Sequence, residues 1–102
     1  MYRATTPTIR FNVPVDLTEA TSVYATFEQG DLKVTKTDTD LTITSEYVDV
    51  YLTQAETLKF TTGTTDAQLN WLYVDDGVTK RNCSNIVKVT IRDNLIDEVI
   101  TE

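Results

Sequence analysis

The stretch Tyr47–Phe60, YVDVYLTQAETLKF, changes its hydrophobic period part-way, and that change constrains the layout of the whole chain. Val48, Val50 and Leu52 alternate with Asp49 and Tyr51, which gives a strand with one apolar face and one wet face. At Thr53 the alternation stops. Thr53-Gln54-Ala55-Glu56 fits a capping box, in which the Thr and Glu side chains satisfy each other's orphan amides at a helix start. The expectation is a strand that runs into one short helical turn near residues 54–58. Leu58 then folds back toward the core, with Phe60 as a further anchor. The residues before this stretch build one part of a β-fold, and those after it build the return.

The rest of the chain reads as short strands separated by turns. Thr8 to Val13 places Ile9, Phe11 and Val13 on one face, and Pro14 stops it, as suits an edge or an end. Asp16 to Ala20 is a connection with room for a helical turn. Ser22 to Gln29 carries Val23, Ala25 and Phe27 inward, and Gln29-Gly30-Asp31 turns it into a hairpin with Leu32 to Lys36. Leu41 to Thr44 is a short strand after the polar cluster Thr37–Asp40. Thr61 to Thr65 reads as a loop. Asp66 to Val74 is the longest strand, with Ala67, Leu69, Trp71 and Tyr73 on one face, and Asp75-Asp76-Gly77 is a hairpin signal. The last strand lies within Ile86 to Arg92, with Val87, Val89 and Ile91 inward. About seven antiparallel strands in one domain of 102 residues, with turns at short intervals and no long helix, describe a β-sandwich. Phe27, Leu52, Trp71 and Val89 are its expected core.

Charge and composition remove several functions. Nine Lys and Arg against 16 Asp and Glu leave a net charge of −7, which repels a nucleic-acid backbone or an anionic membrane. No apolar run approaches the roughly 20 residues of a membrane-spanning helix. The opening MYRATTPTIRF has no apolar h-region, so no secretory leader is expected. Histidine is absent, which takes away the commonest general base and metal ligand. The tight acid pairs, Asp38 with Asp40 and Asp75 with Asp76, fit turn residues better than a calcium loop. No catalytic residue, cofactor or metal is expected. The single cysteine, Cys83, excludes an internal disulfide and reads as a buried, quiet thiol. Asn82-Cys83-Ser84 matches a glycosylation acceptor, which carries no meaning without a secretory route.

Contact surfaces are the remaining candidates. Tyr24, Tyr47, Tyr51 and Tyr73 fit cross-strand pairs on sheet faces, or else an aromatic binding surface. If Leu72 and Val74 point away from the core, they form a small apolar patch with Tyr51. The tail after Asn94 carries Leu95, Ile96, Val99 and Ile100, too many apolar side chains for a solvated end. They are expected to pack, on their own domain or on another copy, with the first strand as the other half of a subunit contact.

Several stretches together resemble small phage and prophage structural proteins of Gram-positive bacteria. They are Thr5-Thr6-Pro7-Thr8 before an Ile-x-Phe strand, Ser22–Phe27 ending in Gln29-Gly30, Val50–Phe60, Gln68-Leu69-Asn70-Trp71, and Val87–Ile91 before Leu95. The layout is also similar to the immunoglobulin-like N-terminal module of phage baseplate upper proteins. The resemblance implies an immunoglobulin-like sandwich and a structural or assembly role in the tail or baseplate region. The implied partners are other phage structural proteins or further copies of the chain. The implied location is the virion, or the host cytoplasm during assembly. A carbohydrate- or ligand-binding module that uses surface tyrosines is the alternative. A phage-encoded regulator that binds a host protein through its acidic face is a third.

Overall fold

In a computed structural model that describes residues 1–101, the alternation is realised as eight strands in two antiparallel sheets. In chain order they are β1 (Thr8–Asn12), β2 (Ser22–Gln29), β3 (Leu32–Thr37), β4 (Leu41–Ile43), β5 (Tyr47–Tyr51), β6 (Gly63–Asp75), β7 (Val78–Cys83) and β8 (Val87–Ile91). One helical turn, α1 (Gln54–Thr57), comes after β5, and a 3₁₀ turn, Asp38–Asp40, precedes β4. The smaller sheet has the order β1-β5-β4; the larger has β3-β2-β6-β7, with β8 also paired to β6.

The two sheets share one core. Phe11, Leu41, Val48 and Val50 come from the smaller sheet, and Val23, Phe27, Val34, Leu69, Trp71 and Ile91 from the larger. Full burial of such side chains stabilises by roughly 1.5–3 kcal/mol each. A line of three phenylalanines joins the layers. Phe11 meets Phe27 edge-on at 6.4 Å between ring centroids, and Phe27 meets Phe60 at 6.4 Å in the same manner. Such edge-to-face pairs add about 0.5–1.5 kcal/mol beyond area burial. Phe27, Leu52 and Trp71 are buried as their strand phases require, whereas Val89 is only half-buried. At the end of β5, Phe60 is the deep anchor and Leu58 stays half-buried.

One strand boundary, one connection and one whole strand differ from the sequence reading. The strand β6 begins at Gly63, so part of the expected Thr61–Thr65 loop is strand, and Thr65 is buried with its hydroxyl donating to the Glu28 carbonyl at 2.8 Å. Asp16 to Ala20 forms a turn closed by Ala20 N–H donating to Leu17 O at 3.1 Å, not a helix. The eighth strand, β7, has no counterpart in the sequence reading. Every residue of β7 is exposed, so it lacks the apolar alternation by which strands are recognised.

Strands β7 and β8 lie end to end along the same edge of β6. Asn70 is opposite Cys83 and Ala67 opposite Val87, so Gln68 and Leu69 face Ser84, Asn85 and Ile86. That two-against-three match is a β-bulge. Ser84 closes it: its amide donates to Leu69 O at 2.9 Å, and its hydroxyl accepts from Leu69 N–H at 2.9 Å. The extra residue shifts the phase, so that Val87, Val89 and Ile91 turn toward the core side. Their burial falls off along the strand, from Ile91 (1% exposed) to Val87 (43% exposed). The smaller sheet therefore covers only one end of β8 and none of β7. Asp76 and Gly77 both hold positive φ, 53° and 76°, which suits the type I′ turn of the β6–β7 hairpin. At about 3.3 Å per residue β6 spans roughly 43 Å, in line with a longest molecular extent of 52 Å.

At the other end, α1 closes the core. Thr53 Oγ1 accepts from Glu56 N–H at 3.2 Å and Glu56 Oε1 accepts from Thr53 N–H at 2.8 Å, the reciprocal box expected from the sequence. Glu56 also accepts from the buried Lys36 Nζ at 2.7 Å on both carboxylate oxygens. Burial alone would push the Glu56 carboxyl up, but the hydrogen bonds from Lys36 and Thr53 outweigh it and hold it below its ordinary range. Thr57, fully buried, donates to Thr5 O at 2.9 Å and accepts from Thr5 N–H at 3.1 Å. Arg3 then caps the turn, with Nε donating to Phe60 O at 2.6 Å and Nη2 to Leu58 O at 3.0 Å. Among the described residues, no buried side-chain nitrogen or oxygen lacks a partner.

Candidate interaction surface

The tail leaves β8 beside this corner and is tied there by polar bonds. Asn94 donates to Arg3 O at 3.1 Å, and Arg3 Nη1 bonds Asp97 at 2.6 Å. Gln54 on α1 reaches the far end, donating to Ile100 O at 3.1 Å and accepting from Ile100 N–H at 2.9 Å. The apolar side chains are covered only in part. Leu95 is fully exposed, and Ile96, Val99 and Ile100 are each about half exposed. Of the two expected packings, on its own domain or on another copy, the first is only partial: Leu95 is left out, and the bonds that fix the tail's course are made by its backbone, by Asn94 and by Asp97.

A second surface lies between the layers. The free edge of β1 and the strands β7 and β8 border a groove of about 600 Å³ lined by Ile9, Phe11, Val15, Trp71, Asn82, Cys83, Val87 and Val89, among others. It exists because the larger sheet outreaches the smaller one. β1 pairs only with β5, and β8 pairs with β6, so each offers one unpaired edge. The lower part of the β8 edge is taken by the chain start: Arg92 N–H donates to Met1 O at 2.8 Å and Arg3 N–H to Arg92 O at 2.9 Å. The groove lining holds two cations, Arg10 and Lys88, and no carboxylate. Arg10 is opposite Asp49 in the register and clasps it with Nε at 2.8 Å and Nη2 at 3.0 Å, while its guanidinium stacks 3.7 Å from the Tyr47 ring. Those hydrogen bonds from Arg10 lower the Asp49 carboxyl. Lys88 pairs with Asp66 across the β6–β8 ladder.

Cys83 does not match the sequence reading of a buried thiol. It is exposed and lies in the groove lining, because β7 has no layer above it.

The remaining candidates are scattered. Val74 is exposed and Leu72 half-buried, both on the larger sheet. Leu72 lines a shallow hollow of about 310 Å³ with Tyr24, Thr26, Thr35, Asn70 and Arg81. Arg81 already donates to Asn70 Oδ1 at 3.0 and 3.2 Å, and Thr26 Oγ1 lies 3.2 Å from Thr35 Oγ1. Tyr51 stands on the smaller sheet, where its hydroxyl is 2.7 Å from Thr42 Oγ1. The fold thus sets Tyr51 on one sheet and Leu72 and Val74 on the other. Of the paired acids, Asp40 lies 3.6 Å from Lys36 and Asp75 bonds Lys80 at 2.8 Å.

The groove could have been found in the sequence only through β7, whose register reveals how far the larger sheet extends. The tail was visible as an apolar run. Among the described residues no helix is long and apolar enough to cross a membrane. No family model, curated protein or solved structure matches the chain.

Proposed function

We propose that this chain is a structural or assembly component of a phage or prophage particle, in the tail or baseplate region, built as an immunoglobulin-like sandwich. It works through protein–protein contacts and not through catalysis. The observation that carries this reading is the tail: four apolar side chains, Leu95, Ile96, Val99 and Ile100, are exposed on a backbone fixed by Arg3, Asn94 and Gln54. Apolar side chains that stay half or fully exposed on a fixed backbone suit a contact surface. The open edges of β1 and β8 add a second contact surface of the kind that strands of other chains extend. The phage assignment itself rests on the resemblance of the framework stretches. Particles induced from the bacterium that encodes the chain test it. Mass spectrometry of gradient-purified particles should find the chain at a fixed stoichiometry to the tail proteins. Its loss from particles on washing, or flanking genes with no virion component, would remove the assignment.

A further inference from the structure

We propose that the tail segment Leu95–Ile100 of one copy lies in the groove between β1 and β8 of a second copy, so that the chain assembles head to tail. The inference rests on the reading of the protein as one that works through protein–protein contacts, and it names the partner as the chain itself.

Length, pattern and charge each support the fit. β1 has five residues, about 17 Å of free edge at the rise of a strand, and on β8 the chain start leaves only the Val87–Val89 part of the edge open. Leu95–Ile100, extended, covers roughly 20 Å. In a strand, Ile96 and Ile100 flank Glu98 on one face, and Leu95 and Val99 flank Asp97 on the other. Either face presents two apolar side chains with an acid between them. The groove offers four apolar side chains, Ile9, Phe11, Val87 and Val89, and a lining without a carboxylate, while its two cations, Arg10 and Lys88, are paired with Asp49 and Asp66 outside the lining. In a chain of net charge −7, an acidic segment of another copy meets little repulsion on a lining that carries no carboxylate and whose cations are paired. Strand addition would also pair backbone groups that the edge of β1 and the Val87–Val89 part of the β8 edge leave to solvent.

The tail does not fill its own groove. To do so it would have to double back along β8, and Met1 to Arg3 already occupy that edge beside Thr90 and Arg92. The tail's own partners, Arg3 and Gln54, lie outside the groove lining. Only exposed bonds, Arg3 to Asp97 and Gln54 to Ile100, must open for the segment to reach a neighbour. Donor and acceptor are different surfaces of one copy, so a contact that two copies do not return to each other leaves one tail and one groove free and propagates into a ring or a filament.

Sedimentation of the full chain from roughly 1 μM to 1 mM, the range that separates tight from marginal association, should show species that grow with concentration beyond a dimer. Two variants divide the contact. Ile96→Asp with Ile100→Asp disables the tail, and Val87→Asp disables the groove. Each alone should lose at least about tenfold in association. Mixed, the intact tail of one should meet the intact groove of the other and stop at a 1:1 dimer. Should Val87→Asp fail to fold, Lys88→Glu on the exposed rim takes its place. The native Cys83 supplies a second readout. A chain with Cys83→Ser and Ile96→Cys, oxidised with the unaltered chain, should give a mixed disulfide dimer that Lys33→Cys in place of Ile96→Cys does not. A full chain that stays monomeric across the range, or complementary variants that do not pair, overturns the inference. Neither result bears on whether the chain is found in particles, and absence from particles leaves the self-association to stand or fall on these measurements.

Discussion

The α1 corner and the β6–β7 hairpin sit at opposite ends of β6 and solve opposite problems. At the corner, three separate segments (the chain start, β3 and the turn after β5) converge, and buried Lys36, Thr57 and Phe60 are each fully partnered. In the hairpin, no residue of β7 is buried, and cross-strand bonds such as Lys80 to Asp75 and Arg81 to Asn70 are all exposed. Stability therefore concentrates where the layers overlap, and the hairpin is an extension carried by its ladder and its turn. The larger sheet outgrowing the smaller one leaves the groove open, and the polar fixing of the tail leaves its apolar side chains only partly covered. The surfaces available to partners are by-products of uneven coverage.

The largest effect that tests this contrast belongs to the core beside the corner. Leu52 is 3% exposed and joins the shared cluster, so Leu52→Ala should cost about 2–5 kcal/mol in urea unfolding. A loss below about 1 kcal/mol would mean that the corner is not where the fold is anchored.

Next comes the ion pair. Lys36→Met removes the partner of a carboxylate that keeps some access to water, so the cost should be about 2–3 kcal/mol, under the roughly 3–5 of a fully enclosed pair. The same variant reports on acid. Glu56 is held below its ordinary value near 4.5. Its contribution is complete above that value and disappears as pH falls through the lower, folded value. Stability of the unaltered chain should thus drop from pH 6 to pH 3, and the drop should shrink in Lys36→Met. An unchanged pH slope would place the acid sensitivity elsewhere, with Asp49 and its Arg10 clasp the first alternative.

Thr53→Ala should cost about 1 kcal/mol, within 0.5–2. Thr53→Ser, which keeps the oxygen, should recover most of it. If Ser fails to rescue, the hydroxyl bond to Glu56 is not what the turn depends on.

How much was legible obeys the same divide. The period change at Thr53, the box, and the inward phases of Phe27, Leu52 and Trp71 are local patterns, and the structure keeps them. Lys36 was legible in principle: it shares the inward phase of Leu32 and Val34, and an inward lysine calls for a nearby acid. That the acid is Glu56 depends on where α1 docks, which no local pattern states. The strand β7 was signalled only by its turn, Asp75-Asp76-Gly77; its own residues hide it, since its side chains are exposed on both faces and alternation appears only under a covering layer. The bulge at Ser84–Ile86 was hidden for a related reason, because an extra residue changes register without changing composition. The tail's apolar content was plain, but its exposure is set by Arg3 and Gln54, which are distant in sequence.

The smallest expected effect sharpens the contrast most. Val74 and Val78 are 59% and 56% exposed in the hairpin, with Val74 opposite Thr79 and Val78 opposite Asp75. Threonine has a similar shape, is β-branched like valine and keeps the strand preference. Val74→Thr and Val78→Thr should therefore shift global stability by less than about 0.5 kcal/mol, the ordinary range for surface positions. Amide exchange supplies the decisive reading. If the hairpin is an extension, amides of Val78–Cys83 open locally, at a free energy well below that of β2 and the paired half of β6 around Ala67 and Leu69. Hairpin amides that exchange only with global unfolding would show that the hairpin is one cooperative unit with the core, and the distinction between the two ends of β6 would vanish.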